Sequence, residues 1–153
     1  MRSLWVSVFC GLIAVAAGAA HAELGQRAAS ISADGTHFRA RVASQARLGF
    51  NDNVLTIAGG TTMHEFTGDD GTVFAVSWQG ARRPDLKQLF GAGYFNRFQD
   101  DNKAPVGHVH MRRALASSHA DFVVRTGGYS GASWGYAYLP AKTPATFSPQ
   151  NLQ

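Results

Sequence analysis

The chain has 153 residues, 45% of them hydrophobic, a formal net charge of +4 and one cysteine. That length supports one domain with its own apolar core, and a lone cysteine excludes a disulfide framework. The basic residues are scattered, Arg82-Arg83 and Arg112-Arg113 being their only adjacent pairs, which argues against a nucleic-acid surface.

Residues 1–22 read as a secretory signal peptide. Arg2 supplies the positive start, residues 4–17 are apolar but too short to span a bilayer, and Ala20-His21-Ala22 is a small-x-small cleavage site. Cleavage before Glu23 removes Arg2 and Cys10. The mature chain, 23–153, is then cysteine-free, which excludes thiolate catalysis and cysteine metal sites, and export directs it to the periplasm or beyond.

Residues 23–29 read as a mobile lead-in. Ser32 through Thr36 cap a short helix expected to continue through Phe38 and Val42. Asn51-Asp52-Asn53 reads as a turn, residues 54–58 as a short strand, and Gly59-Gly60 as the link to a central stretch over 61–98. There Asp70-Gly71 marks a hairpin. With those two as the turn residues Glu65 lies opposite Val76; with a longer loop over 68–71 it lies opposite Phe74. The run 72–78 is uncharged and rich in β-branched and aromatic residues. It predicts a central strand with Thr72, Phe74, Val76 and Trp78 on one face and Val73, Ala75 and Ser77 on the other.

A helix follows. Pro84 suits its first turn and Asp85 favours its dipole, while Leu86, Leu89 and Phe90 form an apolar face. Gly91 and Gly93 end or bend it, and Tyr94, Phe95 and Phe98 add aromatic bulk. Residues 99–107 read as a surface loop. Residues 108–115 alternate, with Val109, Met111 and Leu115 against His108, His110, Arg112 and Ala114. A turn at 117–120 and a strand over 122–126, broken at Gly127-Gly128, precede a last strand over 131–139 that puts Trp134, Tyr136 and Tyr138 on one face. After Pro140 the tail looks irregular. The pattern is α+β: a small single domain with an antiparallel sheet, one or two packed helices and a core over about 53–140.

Phe74-Ala-Val-Ser-Trp78-Gln-Gly80, Pro84-Asp85-Leu86 and Tyr94-Phe95 resemble the signature of an exported bacterial family catalogued as domain of unknown function 2844. The run 121–128 and Ala137-Tyr138-Leu139-Pro140 resemble the same family, so the likeness covers most of the mature chain. It implies export and brings no activity or site residues. After Gly128 the family pattern has His-Met-Arg where this chain has Tyr129-Ser130-Gly131.

Four groups invite chemistry. His64-Glu65 resembles a zincin start, but position 68 is Gly where that motif needs a second His. As an acid–base pair with Asp69 or Asp70 it fails because adjacent strand residues face opposite ways, leaving a structural His and a surface Glu. His108 and His110, with His119 across a turn, have metal-chelating spacing, but Arg112 on the same face opposes a cation and a solvated basic face is the default. Ser130 lacks the strand–turn–helix context of a nucleophile elbow and reads as a turn residue. Trp134, Tyr136 and Tyr138 suit a protein or glycan interface, with core packing against Phe90, Tyr94 and Phe98 as the competing reading.

No convergent catalytic set emerges. The sequence therefore points to a non-catalytic binding or accessory factor of the cell envelope. It implies no cofactor, no transmembrane segment in the mature chain, and another envelope protein or an anionic envelope surface as partner. The alternatives are an envelope hydrolase using His64, Glu65, Asp69 or Asp85, and a metal-binding protein using His108 and His110.

Overall fold

The computed structural model describes residues 23–27, 31–103 and 114–152. The predicted signal peptide and the His108–His110 segment lie outside them. The strands are β1 (Ala40–Arg47), β2 (Phe50–Ile57), β3 (Thr61–Gly68), β4 (Val73–Gly80), β5 (Ala114–Ser118), β6 (Val123–Tyr129) and β7 (Ala132–Tyr138). The helices are α1 (Ile31–His37) and α2 (Leu86–Asp101). All seven strands join one antiparallel sheet in the order β1-β2-β3-β4-β7-β6-β5. The first four strands form a meander. The chain then crosses through α2 to the far edge and returns, so that β7 closes against β4. The α+β class expected from the sequence is the one observed. Among the described residues no helix is long and apolar enough to cross a membrane.

The two faces of the sheet are covered differently. On the helix face, Leu55, Met63, Val76, Trp78, Val124 and Ala137 pack with Leu86, Leu89, Phe90 and Phe98 of α2. The Phe90 ring lies 6.1 Å from Trp78 and 5.7 Å from Phe122. On the opposite face the cover is shorter. Phe66, Phe74 and Ala75 are buried by Phe147 and Leu152 of the C-terminal tail, which is pinned by a hydrogen bond from Thr146 Oγ1 to the Leu48 carbonyl.

Several local expectations change. Residues 23–27 are docked: Leu24 N–H donates to the Leu89 carbonyl, Gly25 N–H to that of Val73, and the Leu24 side chain is buried. α1 ends at His37, and Val42 belongs to β1, an edge strand paired along its whole length with β2, with Val42 opposite Leu55. Asn51-Asp52-Asn53 is strand, and the turn precedes it at Leu48-Gly49. Two of the three polar side chains, Asp52 and Asn53, find partners across the sheet. Gly127-Gly128 does not break β6, which runs on to Tyr129 paired with β7.

The hairpin register is Glu65 opposite Val76. The loop is nevertheless three residues, 69–71, with Gly71 at φ +75° and the Asp70 carboxylate accepting from Thr72 N and Oγ1. A bulge restores the count: Phe66 pairs with Ala75 and Thr67 with Val73, leaving Phe74 extra. That insertion switches the side-chain alternation. Phe74 therefore joins Ala75 under the tail, while Val73, Val76 and Trp78 serve the helix core. The strict alternation predicted for 72–78 holds from Ala75 onward and fails before it, where Val73 and Phe74 each lie on the face opposite to the one expected.

Asp85 is the N-cap of α2, its carboxylate accepting from Lys87 N at 2.9 Å and Gln88 N at 3.2 Å. Gly91 bends the helix at φ +76°, a conformation unfavourable for any side chain, and the bend seats Glu23 where a Cβ would otherwise stand.

Candidate functional site

The tail covers one end of its face, and the rest stands open as a groove of about 1200 Å³. Its floor is set by register. His64 pairs with Ser77, Ser77 with Tyr136, and Tyr136 with Arg125, so one row of side chains crosses β3, β4, β7 and β6. Three strand spacings make this row about 14 Å long. All four side chains line the groove, as do Arg47, Asp52 and Trp134.

At one end of the row His64 Nδ1 lies 2.8 Å from Asp52 Oδ1. Asp52 reaches it diagonally from β2, and its side chain is 13% exposed against 35% for His64. The imidazole stacks over Phe66 with centroids 5.9 Å apart and planes 14° apart. Two contacts thus fix the ring, and with Nδ1 engaged Nε2 is the nitrogen left for the groove. At the other end the Arg125 guanidinium sits 6.0 Å from the centroid of Trp134, whose exposure is 38%. The groove therefore carries two guanidiniums, Arg47 and Arg125, and one carboxylate already matched by His64. Its field favours an anionic or electron-rich ligand.

Trp134, Tyr136 and Tyr138 do share a face, and it is the open one. Phe90, Tyr94 and Phe98 lie across the sheet with Phe122. Tyr136 and Tyr138 are half-buried against the cluster that includes Phe74 and Phe147. Packing against Phe90, Tyr94 and Phe98 does not occur, because β7 turns its aromatics away from α2 and its small residues, Ser133, Gly135 and Ala137, toward it.

His64 and Glu65 face opposite ways as expected, but Glu65 is fully buried, not a surface residue. It lies against Asp34 of α1, which is also fully buried and accepts from Gln88 Nε2 at 2.9 Å. Burial, then the charge of Asp34, then a hydrogen bond with Asp34 push the Glu65 carboxyl up to about 9. It is accordingly neutral at physiological pH. Asp85 caps α2 and Asp69 is exposed in the hairpin loop, so His64, Glu65, Asp69 and Asp85 do not converge.

Of the three histidines considered for metal, His108 and His110 lie outside the described residues. His119 Nε2 is 2.8 Å from Asp101 Oδ2. Hydrogen bonds from Ser117, then His119, hold the Asp101 carboxyl below its usual value. Among the described residues no group of three or more His, Cys, Asp or Glu side chains is placed to hold a metal ion.

Sequence reasoning missed Asp52, Ser77 and Arg125. Asp52 was hidden in an apparent turn, and Ser77 sat on what the unbroken alternation made a minor face. The available signal was distance along the chain: once β2 extends back to Phe50, His64 and Asp52 fall on one face of a hairpin.

No curated protein and no solved structure matches the chain. A family model described as a protein of unknown function (DUF2844) matches residues 20–152, and the chain belongs to that family.

Proposed function

We propose that this is an exported cell-envelope protein, periplasmic or secreted, that acts by holding a saccharide-like anionic ligand in the open-face groove. The observation that carries the reading is Trp134: a large aromatic ring, 38% exposed at the rim of a groove, with a guanidinium beside it. Such a ring stacks well on the apolar face of a sugar, while Arg47, Arg125 and the fixed His64–Asp52 pair supply directional polar contacts. Export rests on the sequence of residues 1–22, and an anionic ligand suits an envelope setting.

Binding is tested by titrating acidic envelope oligosaccharides and their neutral counterparts into the purified protein. Tryptophan emission should shift with the acidic ligands, and Trp134→Ala should weaken affinity about tenfold, or about 1.4 kcal/mol. Equal affinity in the wild type and Trp134→Ala would remove the reading. Export is tested separately by N-terminal sequencing of the periplasmic and medium fractions. A start at Glu23 supports it, and an intact Met1 confined to the cytoplasm overturns it.

A further inference from the structure

We propose that the row His64–Ser77–Tyr136, with Asp52 behind His64, is an ester-cleaving centre acting on an O-acylated ligand lying in the groove. This rests on the groove being the ligand site, as argued above, but not on stacking at Trp134.

The argument is one of register. A serine works as a nucleophile when a base stands within reach of its hydroxyl and a third group holds that base in the right tautomer. Here His64 and Ser77 are direct cross-strand partners on one face. Such pairs hold their Cβ atoms about 4.5–5.5 Å apart, a separation that a hydroxyl and an imidazole together bridge. Asp52 Oδ1 lies 2.8 Å from Nδ1, and because a carboxylate only accepts, this contact favours the tautomer with the proton on Nδ1 and Nε2 free. On the other flank Ser77 is the direct partner of Tyr136, itself paired with Arg125. The nucleophile therefore has a base on one side, and a phenol with a guanidinium beyond it on the other. All of them line the same groove.

The steps balance without any added reagent except water. Ser77 Oγ bonds to the acyl carbon as its proton passes to His64 Nε2. The oxyanion so formed accepts from the Tyr136 hydroxyl. The bond to the alcohol oxygen breaks, and that oxygen takes the proton from Nε2. Water then attacks the acyl-Ser77 carbonyl, giving its proton to Nε2. Ser77 leaves, recovers that proton, and the carboxylic acid departs. Asp52 is a positioning residue: it stabilises the imidazolium and does not touch the substrate.

The test treats the purified protein with a fluorophosphonate probe and, separately, with p-nitrophenyl acetate. The expected result is one phosphonyl adduct, mapped to Ser77 by mass spectrometry, and p-nitrophenol release abolished by Ser77→Ala. His64→Ala should slow release by about 10²–10⁴-fold. Asp52→Asn should lower kcat, leave KM in place and move the acid limb of the pH–rate profile, which loss of packing alone would not do. An adduct at another residue, or release that survives Ser77→Ala at the wild-type rate, overturns the proposal. So does the absence of both adduct and release in the wild type. Binding of the acidic oligosaccharides by Ser77→Ala separates the two readings, because a failed esterase test then leaves the groove's binding role standing.

Discussion

Asp52 and Glu65 sit on neighbouring strands, one residue out of register with each other, and meet opposite fates. Asp52 points into the open groove and meets a histidine. Glu65 points under α1 and meets another acid. The helix face is covered by α1 and α2, so Glu65 there is stripped of water and kept neutral. The open face is lidded only at its tail end, so polar groups there keep their access to a ligand. The comparison separates a closely covered face from one left open, and mutations on the two should behave differently.

The largest effect is expected at Phe90. Its ring meets Trp78, Phe98 and Phe122 and is fully buried. Phe90→Ala should cost about 3–5 kcal/mol in denaturant unfolding, enough to threaten folding of a domain of this size. A loss below about 1 kcal/mol would show that α2 is not the lid described.

Glu65 comes next, and its sign is the informative part. Its folded-state value is raised to about 9 from a reference of 4.5. The folded protein therefore binds a proton that the unfolded chain releases above about pH 4.5. Stability from this group is full below that value and is lost as pH rises toward 9. Glu65→Gln removes the ionisation and should raise the melting temperature at pH 8 while changing it little at pH 4. A flat wild-type melting profile between those pH values would contradict a buried neutral Glu65.

This pair also shows what the sequence made legible. The hairpin, the Pro84-Asp85 helix start and the aromatic face of β7 were readable because each is local: a turn residue, a cap, a period of two. The position of Glu65 was not, because nothing within ten residues signals that α1 will lie over it. The start of β1, as far as Val42, was misread as helix for a related reason. Nearly all its residues are exposed, so burial imposes no alternation on its sequence, and only pairing with β2 makes it a strand. Asn51-Asp52-Asn53 imitated a turn by its composition, which does not reveal that Asp52 and Asn53 have partners across the sheet. The groove thus stayed hidden even though three of its aromatic and histidine residues had been singled out.

Asp85 offers a smaller effect on the helix side. Its carboxylate satisfies two N–H groups at the start of α2, and Asp85→Ala should cost about 1 kcal/mol. Asp85→Asn should restore most of that, since a capping side chain needs an acceptor oxygen and not a full charge. Equal losses in both variants would mean that the charge, not the cap, is what α2 uses.

The smallest stability change is expected at Trp134, and its smallness sharpens the comparison. The indole is 38% exposed, and the hydrogen bond from Thr126 Oγ1 goes to the residue's backbone carbonyl, which an alanine keeps. Trp134→Ala should therefore shift unfolding by no more than about 0.5 kcal/mol, against several for Phe90→Ala. A buried core tryptophan would not behave in this way; its truncation costs about 3–5 kcal/mol. If Trp134→Ala proves as damaging as Phe90→Ala, the open face is a second core, and the groove loses the exposed ring on which its ligand was argued to stack.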